Sequence, residues 1–177
     1  MGFNTMQPRK FPPVRRSGLL VGVAALVLTI GALSASNAQD GGTPLTLMAG
    51  AWTGAGTITL SDGTRERLRC RSNYQPDSAG ATMQLSLTCA SDSYKFELAS
   101  QVNYANGRVS GNWNETSRNA AGQINGTANG GQIDARVDGQ TFAAFVSITT
   151  RGDRQNVAIR SPGSTMQEVA ITLNRSR

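Results

Sequence analysis

The sequence predicts an all-β domain: an antiparallel up-and-down meander of about ten strands, closed into a barrel or flattened, preceded by a signal-peptide helix. Three observations lead there. Beyond residue 47, apolar residues alternate with period two and form no helical stripe. Turn dipeptides punctuate the alternation every ~8–12 residues. Residues opposed across those turns are mostly apolar and share one face, as antiparallel pairing demands.

The 177 residues have room for one domain. Residues 1–18 contain Arg9, Lys10, Arg15 and Arg16 and no acid. An apolar run from Leu19 to Ala35 follows, then the small-x-small site Ser36-Asn37-Ala38. Basic, apolar and small-residue segments in that order define a secretory signal, residues 1–38, with cleavage expected after Ala38 and a periplasmic or extracellular destination. The apolar run is slightly short of the ~20 residues that span a bilayer. No transmembrane segment is therefore expected once the signal is removed. Arg15-Arg16 is followed by Ser17-Gly18, where a twin-arginine signal usually wants a bulky apolar residue, so the route of export stays open.

Residues 39–46 read as a flexible leader and 47–177 as the barrel domain. The expected strands are 51–60, 65–74, 81–90, 93–104, 108–115, 122–128, 132–138, 141–150, 155–161 and 166–175. Asn106-Gly107 as a two-residue turn sets Tyr104 against Val109 and Ser100 against Trp113. Gly130-Gly131 sets Ile124 against Val137, and Gly139-Gln140 sets Val137 against Phe142 and Ile133 against Val146. Gly152-Asp153 sets Ile148 against Val157. A bare turn at Asp62-Gly63 would oppose Ile58 with Arg67, so a bulge is expected that restores Ile58 to Leu68 and Gly56 to Cys70. Closing the tenth strand on the first hides both sheet edges and brings Trp52 to Arg175.

Cys70 and Cys89 fall opposite each other about the loop Asp77-Ser78-Ala79-Gly80, and the same register pairs Ser72 with Leu87 and Tyr74 with Leu85. A cross-strand disulfide on the inner face is expected, and an exported compartment permits it.

Charge and composition exclude several chemistries. Of 17 Lys and Arg residues, four leave with the signal, so 13 face 11 acids and the net charge falls from +6 to +2. The basicity of the whole chain is thus partly a targeting feature, and no nucleic-acid partner is expected. Histidine is absent. Ser-His-Asp and Cys-His catalysis and His-ligated zinc or haem are therefore ruled out. Glu115 with Asp134 or Asp138 makes no fixed carboxylate pair, and Arg151-Gly152-Asp153 is a tight turn before it is an adhesion motif. No catalytic residue, metal site or cofactor is expected.

The run Gly50-Ala51-Trp52-Thr53-Gly54-Ala55-Gly56 opens the first strand with G-x-W. With a basic residue ending the last strand, it resembles the calycin barrels: lipocalins, fatty-acid-binding proteins and nitrobindins. The resemblance implies that Trp52 plugs one barrel end and Arg175 packs over it. The extended motif is most similar to the nitrobindin opening, but haem binding of that kind needs a histidine and does not carry over. The spacing from Trp52 through Asp62-Gly63 to Cys89-Ala-Ser-Asp-Ser-Tyr-Lys-Phe-Glu-Leu98 also resembles exported β-rich proteins of α-proteobacteria, a likeness that brings no function with it.

Two functional readings follow. Small residues on the inner face, Gly54, Gly56, Gly111, Ala135 and Ala144 with Trp113 beside them, are the expected lining of a cavity for a small apolar ligand or lipid. The alternative is a filled core, with an envelope or interaction protein acting through its surface. There Arg65, Arg67, Arg69 and Arg71 alternate on the outer face of the second strand, either as a binding stripe or as a solvated edge guard.

Overall fold

The computed structural model describes residues 42–140 and 142–177; the expected signal segment, with its cleavage site, lies outside them. Ten strands follow a single 3-10 turn, Thr46–Met48. They are β1 (Gly50–Leu60), β2 (Arg65–Pro76), β3 (Thr82–Ala90), β4 (Lys95–Ala105), β5 (Arg108–Glu115), β6 (Ala120–Asn129), β7 (Gln132–Gly139), β8 (Ala143–Arg151), β9 (Arg154–Arg160) and β10 (Met166–Arg175). Each pairs antiparallel with its sequence neighbours, and β10 closes on β1 to complete a barrel. Closure leaves no free sheet edge to template association.

Local chemistry sets most of the register. Asn106 and Gly107 take φ of 50° and 80°, the left-handed pair that a type I′ turn requires, and Tyr104 faces Val109 with Ser100 against Trp113. Ile124 faces Val137 across β6–β7, and Ile148 faces Val157 across β8–β9. Trp52 stands opposite Arg175 at the closure. Cys70 stands opposite Cys89, and the two are joined in a disulfide.

Two expected registers are corrected. Across β1–β2, Ile58 faces Glu66 rather than Leu68, and Cys70 faces Gly54 rather than Gly56. The cause is a three-residue loop, in which Leu60 N–H donates to Thr64 O (2.9 Å), Gly63 N–H donates to Leu60 O (3.0 Å) and Gly63 sits at φ 84°. That loop supplies the odd residue, so β2 needs no bulge; the irregularity instead lies between Thr59 and Leu60, against β10. Glu66 tolerates an inward register because its carboxylate turns to the rim, where Ser91 Oγ–H donates to it at 2.6 Å. Across β7–β8, Val137 faces Ala144 and Ile133 faces Ile148, not Phe142 and Val146. There Gly139 extends β7, donating its N–H to Phe142 O at 2.9 Å, and the turn shifts along the chain.

The leader is also corrected. From Gly42 onward it is not loose: Thr43 Oγ1–H donates to Gly80 O (2.7 Å), and Leu45 and Met48 are fully buried in the core. Burying two such side chains contributes about 3–6 kcal/mol relative to leaving them in water. The segment is a plug, tied to the barrel by its apolar residues.

Candidate functional site

The barrel has a sealed end, an interior and a second rim, each made by different residues. At the sealed end, Trp52 enters from β1 with no exposure, and its Nε1–H donates to Met48 O at 2.8 Å. Arg175, one strand over, lays its guanidinium 4.2 Å from the Trp52 ring centroid. The same guanidinium donates to the carbonyls of Ala49 and Leu47 and pairs with Asp153 Oδ1 at 3.1 Å. One side chain thus caps the tryptophan face and the last carbonyls of the 3-10 turn, combining cation–π attraction with charge-assisted hydrogen bonds.

Just inside this end lies a polar strut that the sequence reading missed. Tyr74 on β2 donates its hydroxyl to Gln155 Oε1 (2.6 Å), and Gln155 Nε2–H donates to Thr150 Oγ1 (3.0 Å). Gln155 has no solvent exposure. β2 and β9 are separated in the sheet by β1 and β10, so the bond spans the lumen rather than following a ladder. Burial pushes the Tyr74 phenol up to about 12, only partly opposed by its polar neighbours Ser72 and Gln155. The signal was present as a glutamine at an inward alternation position, Gln155–Val157–Ile159.

The second rim is built around Glu115 at the end of β5, the one buried carboxylate among the described residues. Its oxygens accept N–H bonds from Glu97 (2.9 Å), Ser117 (3.2 Å) and Arg118 (2.8 Å), and a bond from the Ser117 hydroxyl. Burial alone would raise its pKa, but these donors outweigh it and hold the carboxyl below its ordinary value. The β5–β6 loop so fixed places Arg118 over the rings of Phe96 (4.7 Å) and Tyr94 (5.7 Å), which stack on each other at 6.5 Å.

Between the two ends, burial is uneven. Ile58, Leu68 and Leu173, on β1, β2 and β10, have 0–1% exposure. On the opposite wall six inward residues are only partly buried: Leu85, Leu87, Ile124, Val146, Ile148 and Ile159. Ladders flank each of these on both sides, so water can touch them only from the lumen. Met83, Val102, Val109, Ile133, Ala144 and Val157 on the same strands are buried, so the accessible apolar surface forms patches on an otherwise packed inner wall. Ser72 and Ser100 are buried with hydroxyl oxygens that lack a hydrogen-bond partner, Ser72 lying beside the Tyr74 phenol but outside bonding geometry.

The residues expected to line this space play other parts. A Cβ at Gly54 would lie 2.0 Å from Thr172 O, at Gly56 2.4 Å from Ala170 O, and at Gly111 2.1 Å from Gln101 O. These glycines let the strands bend sharply against their neighbours' backbones at barrel corners, rather than opening room at the centre. Trp113 is packed, 5.5 Å from Phe142 with Nε1–H donating to Asp138 O (3.3 Å), and Ala144 is buried. Ala135 and the three glycines are inward and partly exposed, whereas Trp113 and Ala144 are buried. The lining belongs to larger aliphatic residues that the small-residue argument passed over.

Arg65, Arg67, Arg69 and Arg71 are all exposed on the outer face of β2. Arg67 borders two external grooves of about 490 and 480 Å3, and Arg65 and Arg69 border the second. Both grooves lie outside the barrel wall and are distinct from the lumen.

This geometry is a closed ten-stranded antiparallel barrel of calycin-like shape with one plugged end. Solved structures share the fold. Rv2717c from M. tuberculosis superposes with a TM-score of 0.59 at 17% identity, over 75% of this chain and 95% of that one. The S-type phycobiliprotein lyase CPES from Guillardia theta does so at 0.50 and 12% identity, over 75% and 90% of the two chains. No family model and no curated protein matches the chain, so the likeness to α-proteobacterial exported proteins gains no support there.

Proposed function

We propose that the protein is an exported, non-enzymatic carrier that holds a small apolar ligand or lipid inside the barrel. One observation carries the reading: a patch of inward aliphatic side chains, Leu85, Leu87, Ile124, Val146, Ile148 and Ile159, stays partly solvent-accessible although the barrel is closed. Apolar surface kept wet is stabilised by about 25 cal/mol per Å2 when a ligand covers it. The sealed end, with Trp52 and Arg175, leaves the Phe96–Arg118 rim as the entry. The buried hydroxyls of Ser72 and Ser100 offer hydrogen bonds to one polar atom of an otherwise apolar molecule. The absence of histidine, and the commitment of Glu115 to loop backbone, favour carriage over catalysis.

An apolar fluorescent probe, anilinonaphthalene sulfonate, tests this with wild type and Val146→Trp, which fills the lumen. Wild type is expected to take up probe saturably and release it to a long-chain lipid. Val146→Trp is expected to bind at least about tenfold more weakly. Equal binding by both proteins, at unchanged melting temperature, would place the probe on the surface and favour the filled-core, surface-acting alternative.

A further inference from the structure

We propose that the outer face of β2 is a docking ladder for an extended acidic polysaccharide. Arg65, Arg67, Arg69 and Arg71 occupy alternate positions of one strand and are all exposed. At ~6.8 Å per pair of residues, the four guanidinium stems span about 20 Å in a line. Four cations among the described residues form ion pairs: Lys95 with Glu97, Arg136 with Asp138, Arg160 with Glu168, and Arg175 with Asp153; the other unpaired arginines are scattered over several strands and the chain end rather than aligned on one strand. No member of the ladder forms an ion pair.

The register explains why. On the β1 side the ladder faces Thr59, Thr57, Ala55 and Thr53; on the β3 side Arg69 and Arg71 face Ala90 and Thr88. No carboxylate stands directly opposite a ladder residue; the acids in line, Glu168 beyond Thr59 and Glu97 beyond Thr88, are two strands away and pair with Arg160 and Lys95. Of the nearby acids, Glu66 is tied to Ser91 and the Ser93 N–H, and Asp92 borders the groove without reaching ion-pair distance. Four like charges on one strand repel one another, and an external anion relieves that repulsion. Because residues 39–177 carry 13 basic and 11 acidic side chains, the attraction is local to this face and not a product of net charge.

The occupant follows from what surrounds the charges. Short Thr and Ala side chains leave the guanidinium forks free for bidentate contact with carboxylates or sulfates. No aromatic ring borders either groove to stack a nucleobase. The exposed large apolar residues, Leu47 and Phe145, lie on the 3-10 turn and on β8, away from the ladder, so nothing here inserts into a bilayer. A linear polymer with repeated acidic groups and no bases fits all three.

The test uses purified protein on immobilised polygalacturonate in low salt, with anionic phospholipid vesicles and single-stranded DNA alongside. One variant replaces all four ladder residues (R65Q, R67Q, R69Q, R71Q). A charge-matched control replaces Arg108, Arg151, Arg154 and Arg160 with Gln on other strands. The ladder variant is expected to bind about 30-fold more weakly, as four exposed contacts of ordinary surface strength imply. The control is expected to stay within about threefold, and a four-lysine ladder variant between the two. Circular dichroism melting should match wild type for all, since none of the ladder side chains is buried. Equal weakening by ladder and control variants, no binding by wild type, or tighter binding to vesicles or DNA than to the polysaccharide would each overturn the proposal.

Discussion

Tyr74 gives the sharpest quantitative prediction. Its phenol is buried and spans the lumen to Gln155, and its pKa rises from 10.0 to about 12. A folded pKa above the unfolded one means the stabilisation is whole below pH 10 and is lost as pH climbs towards 12. Two pKa units correspond to roughly 3 kcal/mol at full loss, and by pH 11 the loss is about 1.4 kcal/mol. Urea denaturation at pH 8, 9, 10 and 11 measures it directly. Wild type should lose that amount across the range beyond whatever Tyr74→Phe loses. At pH 8, Tyr74→Phe itself should be about 1–3 kcal/mol less stable, because Gln155 is left with an unsatisfied buried carbonyl. Parallel pH profiles for the two proteins would refute the strut and its burial.

Other perturbations follow from the same geometry. Arg175→Ala removes the stack on Trp52 and the caps on Ala49 and Leu47, and should cost about 1–3 kcal/mol with a red shift in tryptophan emission. Unshifted emission would count against the seal. Replacing Cys70 and Cys89 together with Ser should lower stability by about 3 kcal/mol, read by denaturation of oxidised wild type beside the variant. Gly54→Val should prevent correct closure of β1 on β10, since its side chain would meet the Thr172 carbonyl, and soluble yield should fall sharply beside Ala55→Val. The depressed Glu115 carboxyl stabilises its loop above the unfolded value of about 4.5 and releases it as pH falls through the lower folded value, so the protection factor of the Arg118 amide, corrected for intrinsic exchange, should fall under acid. A protection factor that does not change under acid would contradict that role.

The barrel was legible because its information is local and repeated. Each primed turn leaves a Gly or Asn-Gly signature, and each strand an alternation, so strand order and the Cys70–Cys89 and Trp52–Arg175 pairings follow from the sequence alone. Two registers slipped by a two-residue step, which keeps every side chain on its face and so leaves no trace in the hydrophobic pattern. A three-residue loop at Ser61-Asp62-Gly63 and an extra strand residue at Gly139 decided those, and both depend on hydrogen bonds across the turn. The plug at Leu45 and Met48 was hidden because two apolar residues in a short segment show no period. The glycines misled for a different reason. A missing side chain leaves space, but it also lets a backbone approach, and at Gly54, Gly56 and Gly111 the neighbouring carbonyl takes up that space. Tyr74–Gln155 joins strands that are not ladder neighbours, and no pairing rule reaches across a lumen.

A carrier of this kind needs an interior that accepts a ligand. Native mass spectrometry of the full-length gene product, purified from its own cells without detergent, tests that claim most directly. A population carrying an additional small apolar molecule, stripped by organic extraction and lost in Val146→Trp, is the result predicted. A single clean protein mass in both, with no uptake when lipid is offered, would contradict it.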